Sequence, residues 1–251
     1  GGEYKVGYIK MDYNVDGLEG TEYLADSPGQ GLLEHNRALL SWLDEVLSRY
    51  PDLTTENCGS GGGRMEYAMH SHLQLQSSSD QEDYRLYPSI AVGESAAVLP
   101  EQLAIWSYQL ANGDADAAAF NQVNALLFRI HQSGHLAELS PESFAQVKAG
   151  LQTYKDRIRP HIDKAVPYYP LGMPDITDNV SPISLGVRSP DSNFIAVWRL
   201  RGADRVHLPK ADPKMKILYP TNLGIQLEAE GDGLAVIFPR EMMACILSQE
   251  S

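Results

Sequence analysis

The strongest constraint on this chain is a change of rhythm along it. Up to about Arg159, strand-like and helix-like runs alternate; from about residue 185 only short strand-like runs remain, parted by Gly, Pro and Asp. Alternating segments bury themselves as parallel βα units, whereas serial short strands form antiparallel sheets. The first part opens with "EYKVGYIKMDY", read as a buried strand. A Gly-rich loop then leads to a helix from Leu32 to Tyr50, with Leu32, Leu39, Leu40, Leu43, Val46 and Leu47 at helical spacing. "DLTTEN" is the second strand, followed by "CGSGGGR" and a short helix from Met65 to His70. "LQLQSSS" is the third strand and leads into Asp80; "SIAVGES" reads as a fourth.

A helix is expected over Asp116 to Gln132, with Phe120, Val123, Leu127 and Ile130 on one stripe, and "GHLAEL" as a fifth strand. "SPESFAQVKAGLQTYKDRIRP" is the clearest helix: Ser140 caps it, Pro141 fits its first turn and Pro160 ends it. The short strands that follow the Pro- and Gly-rich segment are "NFIAVWRLR", "RVHLP", "MKILYP", "IQLEAE", "GLAVIFP" and "MACILS". The fold class is therefore α/β: part of a (β/α)₈ barrel of about five βα units over residues 1–165, a linker over 166–184, and a small antiparallel β-sandwich over 185–251. A whole barrel needs about 250 residues. With only some 160 before the rhythm changes, the chain reads as an open α/β sheet or as a barrel whose front is missing, and the strand-like start favours the second.

The 251 residues carry a formal charge of −13. Like charges repel, and no basic block compensates, so neither nucleic acid nor an anionic membrane is an expected partner. No run approaches the roughly 20 apolar residues of a membrane span, and the first residues lack the blocks of a signal peptide. Two cysteines, Cys58 and Cys245, make no disulfide framework. The sequon at Asn179 is followed by Pro182, which disfavours glycosylation.

Three successive strands end in polar clusters, "KMDYN", "TTENCGSGGGR" and "QSSSDQED". Strand C-termini of a barrel face the active site, so Asp12, Glu56 and Asp80 converge on such a reading. Two chemistries use them. A retaining glycosidase needs a nucleophilic carboxylate and an acid/base carboxylate about 5–5.5 Å apart. A metal-dependent lyase would instead hold a divalent cation with all three. The plain alternative is three solvated loop carboxylates. Lys10 lies two residues before Asp12, hence on the same strand face; its ammonium keeps a nearby carboxylate ionised and can donate to a sugar hydroxyl. The glycines of "CGSGGGR" let backbone approach a ligand. His70 and His72, and His131 and His135, lack the pattern of a zinc protease and read as surface histidines. Trp106, Tyr108, Phe194 and Trp198 read as core or rim aromatics.

Together these blocks resemble glycoside hydrolase family 36, the α-galactosidases with a (β/α)₈ barrel and a C-terminal β domain. "YIKMDYN" matches the family's Tyr-Ile-Lys-x-Asp-x-Asn run, with Met11 where relatives commonly have Trp. "CGSGGGR" matches a Cys- and Gly-rich block ending in Arg, and "SDQED" matches Ser-Asp-x-x-Asp. The match is strong over about residues 4–90 and looser beyond. It implies Asp12 as nucleophile, Asp80 as general acid/base, Lys10 on sugar hydroxyls, Cys58 and Gly61 along the sugar pocket, and Arg64 and Asp83 in support, with Glu56 behind them. It also implies a substrate with a terminal α-galactosyl group and no metal or organic cofactor. The large N-terminal β domain and first three barrel strands of such enzymes have no counterpart here. The resemblance therefore implies a C-terminal portion that associates with a missing N-terminal half or with a second copy, or an inactive carbohydrate-binding fragment.

Overall fold

The computed structural model describes residues 4–15 and 21–250, with the side chain of residue 250 left out. The chain divides into two compact units, Gly1–Asp80 and Gln81–Ser251.

The first unit is built on three parallel strands, β1 (Tyr8–Asp12), β2 (Thr54–Cys58) and β3 (Leu75–Ser77), with β2 in the middle. Helix α1 (Gln30–Arg49) links β1 to β2, and the single turn α2 (Tyr67–His70) links β2 to β3. Parallel neighbours require such a crossover, which is why strand and helix alternate. Leu43, wholly buried on α1, packs with Met69 and Leu73, and Met11, Leu39 and Leu40 complete this small cluster. Glu66 caps α2, accepting from the backbone N–H of Ala68 and Met69 at 2.8 Å each, so the turn begins later than the expected Met65.

The second unit opens with α3 (Tyr87–Glu94), then β4 (Leu103–Gln109), α4 (Ala115–Leu126), β5 (Arg129–Gly134) and α5 (Pro141–Thr153). Strands β4 and β5 pair in parallel, from Ala104 opposite Arg129 to Gln109 opposite Gly134. Four expectations change here. "SIAVGES" is helix α3 and its cap, not a strand: Pro88 sits in its first turn, and Tyr87, Ala91 and Val92 are buried, leaving no polar face to show a helical period. The fourth strand is "LAIWSYQ", whose Trp106 and Tyr108 belong to β4. The helix expected through Gln132 stops at Leu126, because residues 129–134 pair with β4; "GHLAEL" is a 3₁₀ turn over Leu136–Glu138. Pairing with a neighbouring strand outweighed the helical spacing of Ile130. Ser140 does cap α5, accepting from Ser143 N–H at 3.2 Å. Pro160 does not stop the chain: a π-turn over Tyr154–Ile158 passes into a 3₁₀ stretch over Arg159–Lys164.

The remaining strands are β6 (Val166–Tyr168), β7 (Ile183–Arg188), β8 (Ser192–Arg199), β9 (Arg205–Leu208), β10 (Lys216–Tyr219), β11 (Gln226–Glu230), β12 (Gly233–Ile237) and β13 (Met243–Glu250). They form two antiparallel sheets, β10-β13-β8-β7-β6 and β11-β12-β9. Strand β6 thus joins the sheet from within the stretch read as a linker. Ile195, Val197, Cys245 and Leu247 of the larger sheet share one core with Val206, Leu208, Leu234 and Val236 of the smaller. Residues between them, such as Trp198, face the other way. Trp198 donates to Asn124 Oδ1 on α4 at 2.8 Å, and Tyr219 Oη donates to the Gln146 carbonyl on α5 at 3.0 Å. Helices therefore cover the second face of the larger sheet, which explains why "FIAVW" and "MACIL" are apolar without alternation. Among the described residues, no helix is long and apolar enough to cross a membrane.

Candidate active site

The first unit gathers most of the candidate residues. Register sets Lys10 opposite Glu56 and Asp12 opposite Cys58, while Glu56 lies opposite Leu75. Alternation then puts Lys10, Asp12, Glu56, Cys58 and Ser77 on one face of the three strands. Asp12 and Cys58 are the last residues of their strands, and Asp80 follows β3 by three positions. All three therefore occupy the C-terminal end of the parallel strands, the end at which open and closed α/β sheets bind ligands.

The turn after β2 ties this end together. Ser60 and Gly61 both adopt left-handed backbone, with φ of 49° and 77°. Ser60 N–H donates to Asn14 Oδ1 at 2.7 Å and, more weakly, to Asp12 Oδ1 at 3.4 Å. On its other side the turn lies against the segment leading to Asp80. A Cβ on Gly61 would stand 2.6 Å from the Ser78 carbonyl oxygen and 3.1 Å from the Asp80 nitrogen, so only glycine fits. One tight turn touches both the Asp12 carboxylate and the Asp80 backbone.

Electrostatics divides the acids into two kinds. Asp12 is solvent-exposed, and the Cys58 thiol holds its carboxyl below the usual range, aided by Ser60 N–H, Asn14 and the charge of Lys10, against a smaller desolvation. It is a carboxylate poised as an anion. Glu56 has no exposed surface at all. Burial pushes its carboxyl up to about 7, with the Ser77 hydroxyl pulling the other way. Lys10 Nζ lies 3.4 Å from Glu56 Oε1 and 3.3 Å from Ser77 Oγ.

Arg64 serves the backbone: its guanidinium donates to the Tyr13 carbonyl at 3.0 Å and the Val15 carbonyl at 3.1 Å, and stacks 3.8 Å over the Tyr13 ring. It fixes the chain just beyond Asp12. Asp83 belongs to the second unit, where Arg85 holds its carboxylate at 2.6 and 2.8 Å. Met11 turns to the opposite face of β1 and, with Leu39, Trp42 and Met69, borders a cavity of about 440 Å³ beside α1. His72 accepts no ligand geometry: its ring nitrogens meet the Ala68 carbonyl at 2.7 Å and Asp44 at 3.2 Å. Among the described residues, no group of three or more His, Cys, Asp or Glu side chains is placed to hold a metal ion.

Asn14, Ser60 and Ser77 were not picked out from sequence. Asn14 and Ser60 lie inside the quoted motifs, and Ser77 lies in the serine run before Asp80, so position beside a motif was the available signal.

No protein-family model matches the sequence, and no curated protein does either. Among solved structures the chain is similar to the galactosidase domain of the alpha-galactosidase-sucrose kinase AgaSK, at 20% identity over 97% of this chain and 34% of that one, with a TM-score of 0.70. It is also similar to a variant of the family-36 alpha-galactosidase AgaA from Geobacillus stearothermophilus in complex with raffinose, at 18% identity over 97% and 35%, TM-score 0.72. The alpha-galactosidase from Lactobacillus brevis gives 17% identity over 96% and 35%, TM-score 0.69. At such identities the likeness establishes the fold, and the chain spans only 34–35% of the length of these proteins.

Proposed function

We propose that this chain carries the catalytic half of a retaining α-galactosidase, with Asp12 as nucleophile and Asp80 as general acid/base. The supporting observation is the turn after β2, which touches the Asp12 carboxylate on one side and the Asp80 backbone on the other. Asp12 ends one strand flanking β2 and Asp80 follows the other by three residues; two strand spacings separate backbones by about 10 Å. A retaining pair stands about 5–5.5 Å apart, which this reading requires two short side chains leaning inward to provide.

In the first step Asp12 attacks the anomeric carbon and forms a glycosyl ester, while Asp80 gives its proton to the departing oxygen. In the second, Asp80 takes a proton from water, which displaces Asp12 with net retention. A depressed Asp12 suits the nucleophile, because it remains ionised at neutral and mildly acidic pH. Lys10 presents an ammonium to sugar hydroxyls, and Cys58 and Gly61 wall the pocket. The substrate class on this reading is a terminal α-galactoside of the raffinose kind, supported by the raffinose held in the AgaA variant. On this reading residues 1–165 contribute barrel, 166–184 lead out of it while lending β6 and the first residues of β7 to the larger sheet, and 185–251 form the rest of the accompanying β domain. The outer edge of β1 has no strand partner among the described residues, so further barrel strands come from another segment, another polypeptide or a second copy.

The lyase alternative is disfavoured by the ion pair. Glu56 faces the ammonium of Lys10, which neutralises that carboxylate and repels a divalent cation beside it. The deciding experiment is covalent trapping with a slow fluorinated galactoside, followed by peptide mapping. Label on Asp12 is the expected result; label elsewhere, or hydrolysis abolished by a chelator, refutes the assignment.

A further inference from the structure

A cavity of about 830 Å³ lies within the second unit along β10, the last strand of the larger sheet. Lys214 leads into that strand, Lys216 opens it and Thr221 follows it, and all three border the cavity. Ser248 of β13 is the register partner of Lys216, so the two project from one face. Leu247 points into the sandwich core, so Ser248 and Lys216 face the helix side, where Arg157 of the π-turn also borders the cavity. Two features set this cavity apart. The chain holds 33 acidic against 20 basic side chains, yet among the described residues neither lysine forms an ion pair or a side-chain hydrogen bond. The acids nearest in sequence are engaged by other donors: Asp212 accepts from Lys214 N–H at 2.8 Å and from Gln249 Nε2 at 2.5 Å, and Asp156 accepts from Gln152 at 2.7 Å. Ser248, only 7% exposed, makes no side-chain hydrogen bond among the described residues. A hydroxyl so buried costs free energy unless it meets a partner.

We propose that this cavity binds a small phosphorylated molecule, with Lys214 and Lys216 on the phosphate oxygens and the Ser248 and Thr221 hydroxyls donating beside them. The site is independent of the galactosidase reading. Point charges with rotatable donors suit a tetrahedral dianion, whereas a planar carboxylate is better matched by an arginine fork. A phosphate carries about 1.5–2 negative charges at neutral pH, which concentrates its attraction to two lysines against the repulsion of a chain with net charge −13. The volume exceeds what a bare phosphate fills and lies in the range of small-molecule sites. Ile217 and Leu218 supply apolar wall for the rest of the molecule. An extended acidic peptide is the rival occupant, because β10 ends its sheet. The bulge between Ile217 and Tyr219 disfavours it, since a strand whose ladder is interrupted is a poor template for a further one. Lysines on an edge strand also deter pairing, but that role needs neither the cavity nor the buried hydroxyl.

The test uses the full chain and titration calorimetry, with pyrophosphate and glucose 6-phosphate as probes and citrate and an oligoglutamate peptide as comparisons. At least one of the two phosphates should bind saturably at a single site, raise the thermal midpoint and bind more weakly as salt is added. Lys214→Gln combined with Lys216→Gln should weaken that binding at least about tenfold, the scale of a lost charged contact. Lys148→Gln combined with Lys164→Gln makes the same change in net charge outside the cavity, and should leave affinity within about twofold. Ser248→Ala should weaken binding about three- to tenfold while denaturant unfolding stays the same or improves slightly, because no hydrogen bond within the protein is lost. A serine with a structural role would show the opposite, lost stability with affinity retained, and that result counts against the site. Neither phosphate binding saturably, or equal losses in the two lysine pairs, would overturn the proposal. So would citrate or oligoglutamate binding as tightly as the phosphates, the first pointing to carboxylates and the second to an added strand.

Discussion

The two units of this chain are built on opposite interiors. In Gln81–Ser251 the core is aliphatic: Ile195, Val197, Val206, Leu208, Leu234, Val236 and Leu247 meet between two sheets, and Trp198 is wholly buried behind them. Among the described residues of Gly1–Asp80 the buried apolar set is short, namely Leu43, Leu53, Cys58, Met69 and Leu73. Its strands instead bury Thr55, Glu56, Asn57, Gln76 and Ser77, with Ser78 just beyond β3, joined by bonds such as Asn57 to Gln76 at 2.6 Å. Each buried polar group must be matched or it destabilises. The interior of the first unit is polar and paired, and that of the second is apolar and cohesive.

The sharpest way to break this contrast is to exchange the consequences of mutation. Asp12→Ala should lower kcat/KM for an α-galactoside by about 10⁴-fold or more, the scale of removing a covalent nucleophile, while thermal unfolding stays where it was. Asp80→Ala should lose as much on natural substrates but far less with a good leaving group, as seen in burst kinetics. If either variant turns over at the parent rate, the site lies elsewhere. Trp198→Ala should do the reverse. It leaves a large cavity and strands Asn124 Oδ1, for a loss of about 3–5 kcal/mol in denaturant unfolding, read from probes in the second unit.

Gly61→Ala tests the turn that touches both acids. Its positive φ and the 2.6 Å approach to Ser78 force the turn to move. A displacement near 1 Å costs on the order of 10²-fold in rate, so kcat/KM should fall by about that factor. Parent-like kinetics would show that the turn does not set the spacing of the two carboxylates. The smallest effect concerns pH. The Cys58 thiol is the largest contributor holding Asp12 below its ordinary value. Cys58→Ala should raise the Asp12 pKa, so the acidic limb of the kcat/KM profile moves to higher pH. Linkage has the same sign. A depressed carboxyl adds stability above its unfolded pKa and loses it as pH falls through the folded one, so the variant should gain less from raising the pH out of the acid range.

What could be read from sequence follows the same division. The site was legible because its residues lie close together along short strands: Lys10 and Asp12 share a face by alternation alone, and Gly61 announces a backbone demand. The contacts of Lys10 with Glu56 and Ser77 were not legible, because they depend on the register of three strands, which no local pattern fixes. In the second unit, "LAIWSYQ" carries apolar residues on both faces and so shows no alternation, while the apolar run inside "SIAVGES" looks like a short strand and is helical. Interiors covered on both sides erase the periodicity on which such readings depend. Ile130 kept a helical period by coincidence and was claimed by β5.

The outer lip of β1 carries a practical consequence. Tyr8 and Ile9 are 45% and 41% exposed there, alongside backbone groups that no neighbouring strand engages among the described residues. Such a margin recruits any extended peptide that arrives, including other copies in a concentrated preparation. Handling conditions that keep molecules apart will therefore govern how much usable material survives purification.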